Sequence, residues 1–168
     1  MDTNTDKRIL IGCDHGGYEA KIKIKEHLAE KGYELIDVGS ESAEIVRYPN
    51  YVKKVAAPIS QKEYSRGILI CSTGIGMCIA ANKFKGIRAA LVNSHYQAKM
   101  TRQHNDSNIL CLGGKTSGIF DLLDFVDTWL ENEYIGGRHD ISLGIIEDIE
   151  NELGIKSADA VNPEPKAE

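Results

Sequence analysis

The feature that most constrains this chain is a strand-loop-helix unit that recurs along it. The apolar run Ile9-Leu10-Ile11-Gly12-Cys13 breaks at Asp14-His15-Gly16-Gly17 and passes into residues 18–31, where Ile22, Ile24 and Leu28 recur at roughly helical spacing. Gly32 stands where a C-cap glycine belongs, and residues 33–39 read as a second strand. Tyr48-Pro49 opens a helix with Val52, Val55, Ala56 and Ile59 on one side; Pro49 suits its first turn, and Pro58 is expected to kink it or end it early. Residues 67–71 form the third strand, followed by the short loop Ser72-Thr73-Gly74-Ile75-Gly76 and a helix over 77–83. Two more units follow: a strand over 88–92 with a helix over 96–103, then a strand over 108–112 with a helix over 119–133 carrying Phe120, Leu123, Val126 and Leu130. A last helix is expected over 141–153.

The runs ILIGC, GILIC and NILCL are apolar without alternation, as strands buried on both faces are. Right-handed crossovers between parallel strands then put helices on both sides. The expected architecture is a single three-layer α/β/α Rossmann-like domain with a five-stranded parallel sheet, over residues 1–153. Residues 154–168, with Pro163, Pro165 and scattered charges, read as a disordered tail. A length of 168 residues suits one domain, and a net charge of −5 argues against a nucleic-acid backbone or an anionic membrane as main partner. The polar start and the lack of any long apolar run lead us to expect a cytoplasmic protein. Cys13, Cys71, Cys78 and Cys111 form no C-x-x-C pair and have no histidine at metal-ligand spacing, so reduced thiols are expected rather than disulfides or a metal site.

In an open parallel sheet ligands bind beyond the carboxyl ends of the strands, which directs attention to the loops after strands one and three and to the polar segments around strand five. Cys71 closes a buried strand just before a glycine loop that opens a helix, a setting that favours a thiolate; a small core residue is the alternative. The loop lacks the lysine of a P-loop and is not G-x-G-x-x-G. Asp14 either caps the following helix or meets a ligand with His15. His104 and Asn105 lie in what reads as a polar loop, and Arg138-His139 and Lys115 follow glycine pairs, where each either holds an anion or forms a turn. Together these residues offer a thiol, a carboxylate, imidazoles, an amide and cations, a set suited to proton transfer on a phosphorylated substrate. They converge either within one subunit or across a dimer.

The ordered set Gly12-Cys-Asp-His-Gly-Gly17, Gly67-Ile-Leu-Ile-Cys71-Ser-Thr-Gly-Ile-Gly76-Met, Ala80-Ala-Asn-Lys83 through Gly86-Ile-Arg-Ala89, Arg102-Gln-His-Asn-Asp106 and Gly136-Gly-Arg-His139 resembles type B ribose-5-phosphate isomerase. The resemblance runs from about residue 8 to residue 153. It implies interconversion of aldose and ketose phosphates through an enediolate, with no metal or organic cofactor. It makes Cys71 the base between C1 and C2, with Thr73 moving a proton between the oxygens. The backbone of Ser72, Gly74, Ile75 and Gly76 together with Asn105 would stabilise the enediolate. His104 would open the furanose ring and Asp14 would bind a hydroxyl on the other side. His15, Tyr48, Lys115 and Arg138 would hold phosphate. The resemblance also implies a homodimer or dimer of dimers with shared sites.

The chain departs from the family pattern in places. Arg47 stands where an aspartate is usual, Lys115 where many relatives have arginine, and Ser142 where a second phosphate arginine is expected. Ser72 replaces a loop glycine, and Met77 occupies the place of a glutamate that is the base in some relatives, which favours Cys71. Ribose 5-phosphate is the first expected substrate. Allose 6-phosphate, a shorter sugar phosphate, or a catalytically silent sugar-phosphate-binding module are the alternatives.

Overall fold

The computed structural model describes residues 6–156. Five strands alternate with helices: β1 (Arg8–Cys13), α1 (Tyr18–Glu30), β2 (Glu34–Asp37), α2 (Tyr48–Ser60), β3 (Gly67–Cys71), α3 (Ile75–Ala81), β4 (Ala89–Leu91), α4 (His95–Asn105), β5 (Ile109–Gly113), α5 (Ile119–Glu131) and α6 (Arg138–Glu152). All pairings are parallel, in the order β2-β1-β3-β5-β4. From β1 the chain steps outward to β2, and from β3 it proceeds to the other side. The carboxyl ends of β1 and β3 are therefore the switch point at which such sheets bind ligands.

The two sheet faces carry two cores. Ile9, Ile11, Ile68, Ile70, Leu110 and Leu112 pack with α1, α4 and α5, whereas Leu10, Leu69, Ile109 and Cys111 pack with α2 and α3. Alternate residues of each strand thus serve opposite helical layers, as the unbroken apolar runs require. Trp129 of α5 is wholly buried, and its indole N–H donates to Ser107 Oγ at 2.8 Å.

Several boundaries and faces differ from the expected ones. On α1 the inward face is Lys21, Ile24 and Leu28, with Ile22 on the flank. Pro58 does not end α2 early: the helix continues to Ser60, with its C-cap at Gln61. Phe120 does not join the apolar face of α5; it is 84% exposed in the first turn while Leu122, Phe125, Val126, Trp129 and Leu130 turn inward. His104 and Asn105 are not in a loop but form the last turn of α4, which ends at Asp106 in a left-handed conformation (φ 44°). Arg138 and His139 likewise begin α6 rather than preceding it. Of the expected tail, residues 157–168 lie outside the described residues.

Lys21 is buried because it has an acid to meet. Its ammonium lies 3.0 Å from Asp37 Oδ2 and donates to the Ser40 carbonyl at 2.7 Å, tying α1 to the end of β2. Burial pushes the Asp37 carboxyl up, but hydrogen bonds from Lys25, the Gly39 N–H and Lys21 outweigh it and leave it below its ordinary value. A carboxylate with a lowered folded-state value stabilises fully above its unfolded pKa of about 3.9 and loses that contribution as pH falls through the folded value. Asp37→Ala should cost about 2 kcal/mol at pH 7, less than for a fully buried pair because Asp37 is partly exposed. The difference from wild type should shrink below about pH 4, which denaturant titrations at pH 7 and pH 3.5 measure.

Candidate active site

Three glycine-bearing turns bring polar groups together at the carboxyl ends of β1, β3 and β5. After β1, Asp14 is buried and its Oδ1 accepts the Gly16 N–H at 2.8 Å, capping a short 3-10 turn over His15–Gly17. Capping thus uses one carboxylate oxygen; Oδ2 is unengaged among the described residues. Gly16 lies so close to Ser72 that any side chain there would collide with the Ser72 hydroxyl, so the turns after β1 and β3 touch. His15 Nδ1 accepts the Val46 N–H at 3.3 Å, which folds the segment leading to Tyr48 over this end of the sheet. In the neutral ring the proton then sits on Nε2.

Cys71 closes β3 with only 6% of its surface exposed. Its Sγ accepts the Gly74 N–H at 3.1 Å, which fixes the sulfur at the mouth of the loop. Gly74 has φ +76°, and a Cβ there would lie 2.5 Å from Leu91 Cδ1 and 2.9 Å from the Leu112 backbone, so conformation and space both demand glycine. The loop is also latched to β5: the Gly114 N–H donates to the Cys71 carbonyl at 2.8 Å and the Lys115 N–H to that of Ser72 at 3.0 Å. Lys115 is exposed beside the loop. Thr73 is exposed with its Oγ1 accepting the Ile75 N–H at 3.3 Å, and the Tyr48 ring covers Gly76 in the first turn of α3. Asp14, His15, Tyr48, Cys71, Ser72, Thr73, Gly74, Ile75, Gly76 and Lys115 therefore occupy one end of the sheet.

The remaining expected residues do not join them within one chain. α4 runs back from the carboxyl end of β4 to the amino end of β5, which places His104 and Asn105 at the opposite edge, about 13 Å of strand height away. There the His104 ring stacks on His139 with centroids 4.2 Å apart and planes 13° off parallel, and Arg138 begins the same helix. Removal from water, then the charges of His104 and Arg138, hold His139 below the ordinary histidine value. The GGRH string had marked Arg138 and His139 only as anion or turn residues; nothing in their spacing announced the ring stack.

Sequence reasoning also gave Cys78 no role. It lies one turn into α3, its Sγ donates to the Ala89 carbonyl at 3.4 Å, and the Asn82 amide approaches it at 3.6 Å. The Cys111 thiol, hydrogen-bonded to Cys78, brings Cys78 down to about 6, while burial lifts Cys111 well above the usual thiol range. Cys78 therefore ionises more readily than Cys111 or Cys13, giving up the hydrogen bond to Ala89 when it does. Alkylation of the folded protein by iodoacetamide, followed at Cys78 by mass spectrometry, should rise with a midpoint near pH 6 and leave buried Cys13 and Cys111 unmodified at neutral pH.

A parallel α/β sheet with a thiol, a carboxylate and backbone donors at its switch point is the frame of an enzyme that moves protons on a small substrate. The chain belongs to the Ribose/Galactose Isomerase family, whose profile it matches over residues 9–146. It is 47% identical over 133 residues to ribose-5-phosphate isomerase B of Escherichia coli K12, covering 79% of this chain and 89% of that protein. It is also 43% identical to ribose-5-P isomerase B of Listeria innocua, covering 85% of this chain and 97% of that one. Among solved structures, ribose-5-phosphate isomerase B of Clostridium thermocellum superposes with a TM-score of 0.85 at 49% identity, over 87% of this chain and 99% of that one. The enzyme from Mycoplasma genitalium, with bound ribulose-5-phosphate, gives 0.83 at 37% identity, over 86% and 97%.

Proposed function

We propose that the chain interconverts ribose 5-phosphate and ribulose 5-phosphate, with residues 1–153 as the isomerase domain, and that each active site is built from two copies of it. The observation that carries the reading is the separation just described. One chain presents base, loop and phosphate-side residues at the carboxyl ends of its strands, and His104, Asn105 and Arg138 at the other. A second copy supplies the missing half. The face for it is α6, whose Ile141, Ile145, Ile149 and Leu153 recur every four residues and are 48–71% exposed, with no residue of the helix buried. An apolar stripe of that kind is more than a monomer leaves open to water.

In this reading phosphate is held by His15, Tyr48 and Lys115 from one subunit and Arg138 of the partner subunit. His104 of the partner subunit moves the proton that opens the furanose ring, exposing the C1 carbonyl, and Asp14 binds a hydroxyl opposite. The Cys71 thiolate takes the proton from C2, electron density moves to O1, and the enediolate is held by N–H groups of the loop from Ser72 to Gly76 and by Asn105 of the partner subunit. Thr73 passes a proton between O2 and O1, and Cys71 returns its proton to C1. No metal or organic cofactor enters the scheme. Arg47, beside Tyr48, takes up part of the anchoring that Ser142 in place of arginine gives up. The protein would act in the cytoplasm; among the described residues no helix is long and apolar enough to cross a membrane.

Two outcomes are expected. On a panel of ribose, allose, galactose and erythrose phosphates, ribose 5-phosphate should have the highest kcat/KM, and Cys71→Ala should lower it at least about 10³-fold with Tm little changed. Binding without turnover of any sugar would leave only a silent module. Ile145→Glu should convert a dimer to monomer in light scattering and remove activity with it, at least about tenfold, because a charge is placed in an apolar contact.

A further inference from the structure

A groove of about 1250 Å³ lies at the amino ends of the strands, between one side of α6 (Asp140, Leu143, Glu147, Glu150) and the segments around 59–66 and 85–88. None of Cys71, Thr73, His104, Asn105 or Arg138 lines it. In a chain of net charge −5 its lining is basic: Lys62, Arg66, Lys85, Arg88, Arg102 and Lys156 against four carboxylates. Three of those carboxylates are engaged. Asp106 is shared by Arg88 and Arg102, Glu150 accepts the Gly86 N–H with both oxygens, and Asp140 accepts the Tyr134 hydroxyl.

On the groove lining, Arg66 is an anomaly. It is 4% exposed and, among the described residues, has no carboxylate within ion-pair distance. Its Nη2 donates to the Asp6 carbonyl at 3.0 Å, and its Nε has no partner; Nε of the equally buried Arg102 has none either. Burial, and then the nearby charge of Arg102, pull the Arg66 guanidinium down, while Tyr33 and Asp6 oppose. A guanidinium removed from water without a counter-ion is costly, and a second one nearby raises the cost. Lys62 and Lys156 add charge with no ion pair among the described residues. An oxyanion in the groove would neutralise this set.

We propose that the groove is a second anion site, distinct from the isomerase site, that binds the phosphate group of a small molecule. It lies on the side of α6 away from the Ile141-Ile145-Ile149 stripe, so a dimer formed through that stripe leaves it open. The proposal uses the proposed function only to identify the other phosphate site, at Arg138.

The test is calorimetric titration of the full-length protein with inorganic phosphate, in wild type, Arg66→Met and Arg138→Ala. Wild type should bind two phosphates per chain. Arg66→Met should lose one, or weaken it at least about tenfold, while kcat/KM for ribose 5-phosphate stays within about twofold. Arg138→Ala should lose the other. If Arg66→Met and wild type bind phosphate with the same stoichiometry and affinity, the proposal is wrong. Two sites retained in Arg138→Ala, with one lost in Arg66→Met, would count against the isomerase-site assignment and leave the groove intact. Should Arg66→Met fail to fold, the double variant Lys62→Ala/Lys156→Ala should weaken one phosphate about fivefold, and unchanged binding there overturns the proposal.

Discussion

Everything chemical in this protein depends on how tightly the turn after β3 is pinned between its neighbours. Cys71 can present its sulfur to the Gly74 N–H only because β1 and β5 hold β3 on both sides, and because the next residues are bound to the turn after β5. Side chains are excluded at three points: Gly16 against Ser72, Gly74 against Leu91 and Leu112, and Gly113 against Thr73. The loop is thus preorganised by backbone contact, which is how a site holds donors for a charge that appears only during reaction.

The same sheet order explains why one chain keeps the two groups of residues that the proposed site needs at opposite ends of its sheet. Each βα unit delivers its loop to the carboxyl end, but α4 and the segment after α5 must return to the amino end before the chain can continue. His104 at the end of α4 and Arg138 at the start of α6 are carried away from Cys71 by connectivity alone. Association through the α6 stripe would restore what the topology separates, and it would make oligomerisation a condition of activity rather than an addition to it.

The strands and their parallel order of burial were legible because unbroken apolar runs have few other homes; β3 has the expected bounds and the helices are shifted by a few residues. Cys71 and Asp14 could be placed at strand ends for the same reason. The polar string around His104 read as a loop because histidine, asparagine and aspartate are weak helix formers, yet α4 continues through Asn105 and closes on Asp106 in the left-handed region. Lys21 and Arg66 were beyond reach: a pattern that sorts charge to the surface cannot foresee a buried ammonium that meets Asp37, or a buried guanidinium that meets no acid among the described residues. Phe120 failed in the opposite sense, an aromatic in the right register that sits one position outside the buried arc of α5.

The claim at the centre of this account is that base and ring-opening histidine come from different subunits. Subunit exchange between Cys71→Ala and His104→Ala decides it. Each variant alone should be inactive. After mixing under conditions that allow exchange, about half of the dimers would be mixed, each with one intact site of two, so about a quarter of wild-type activity should return. A mixture that stays as inactive as its components, with mixed dimers demonstrated by mass, would place both residues in the same subunit's site and contradict the account.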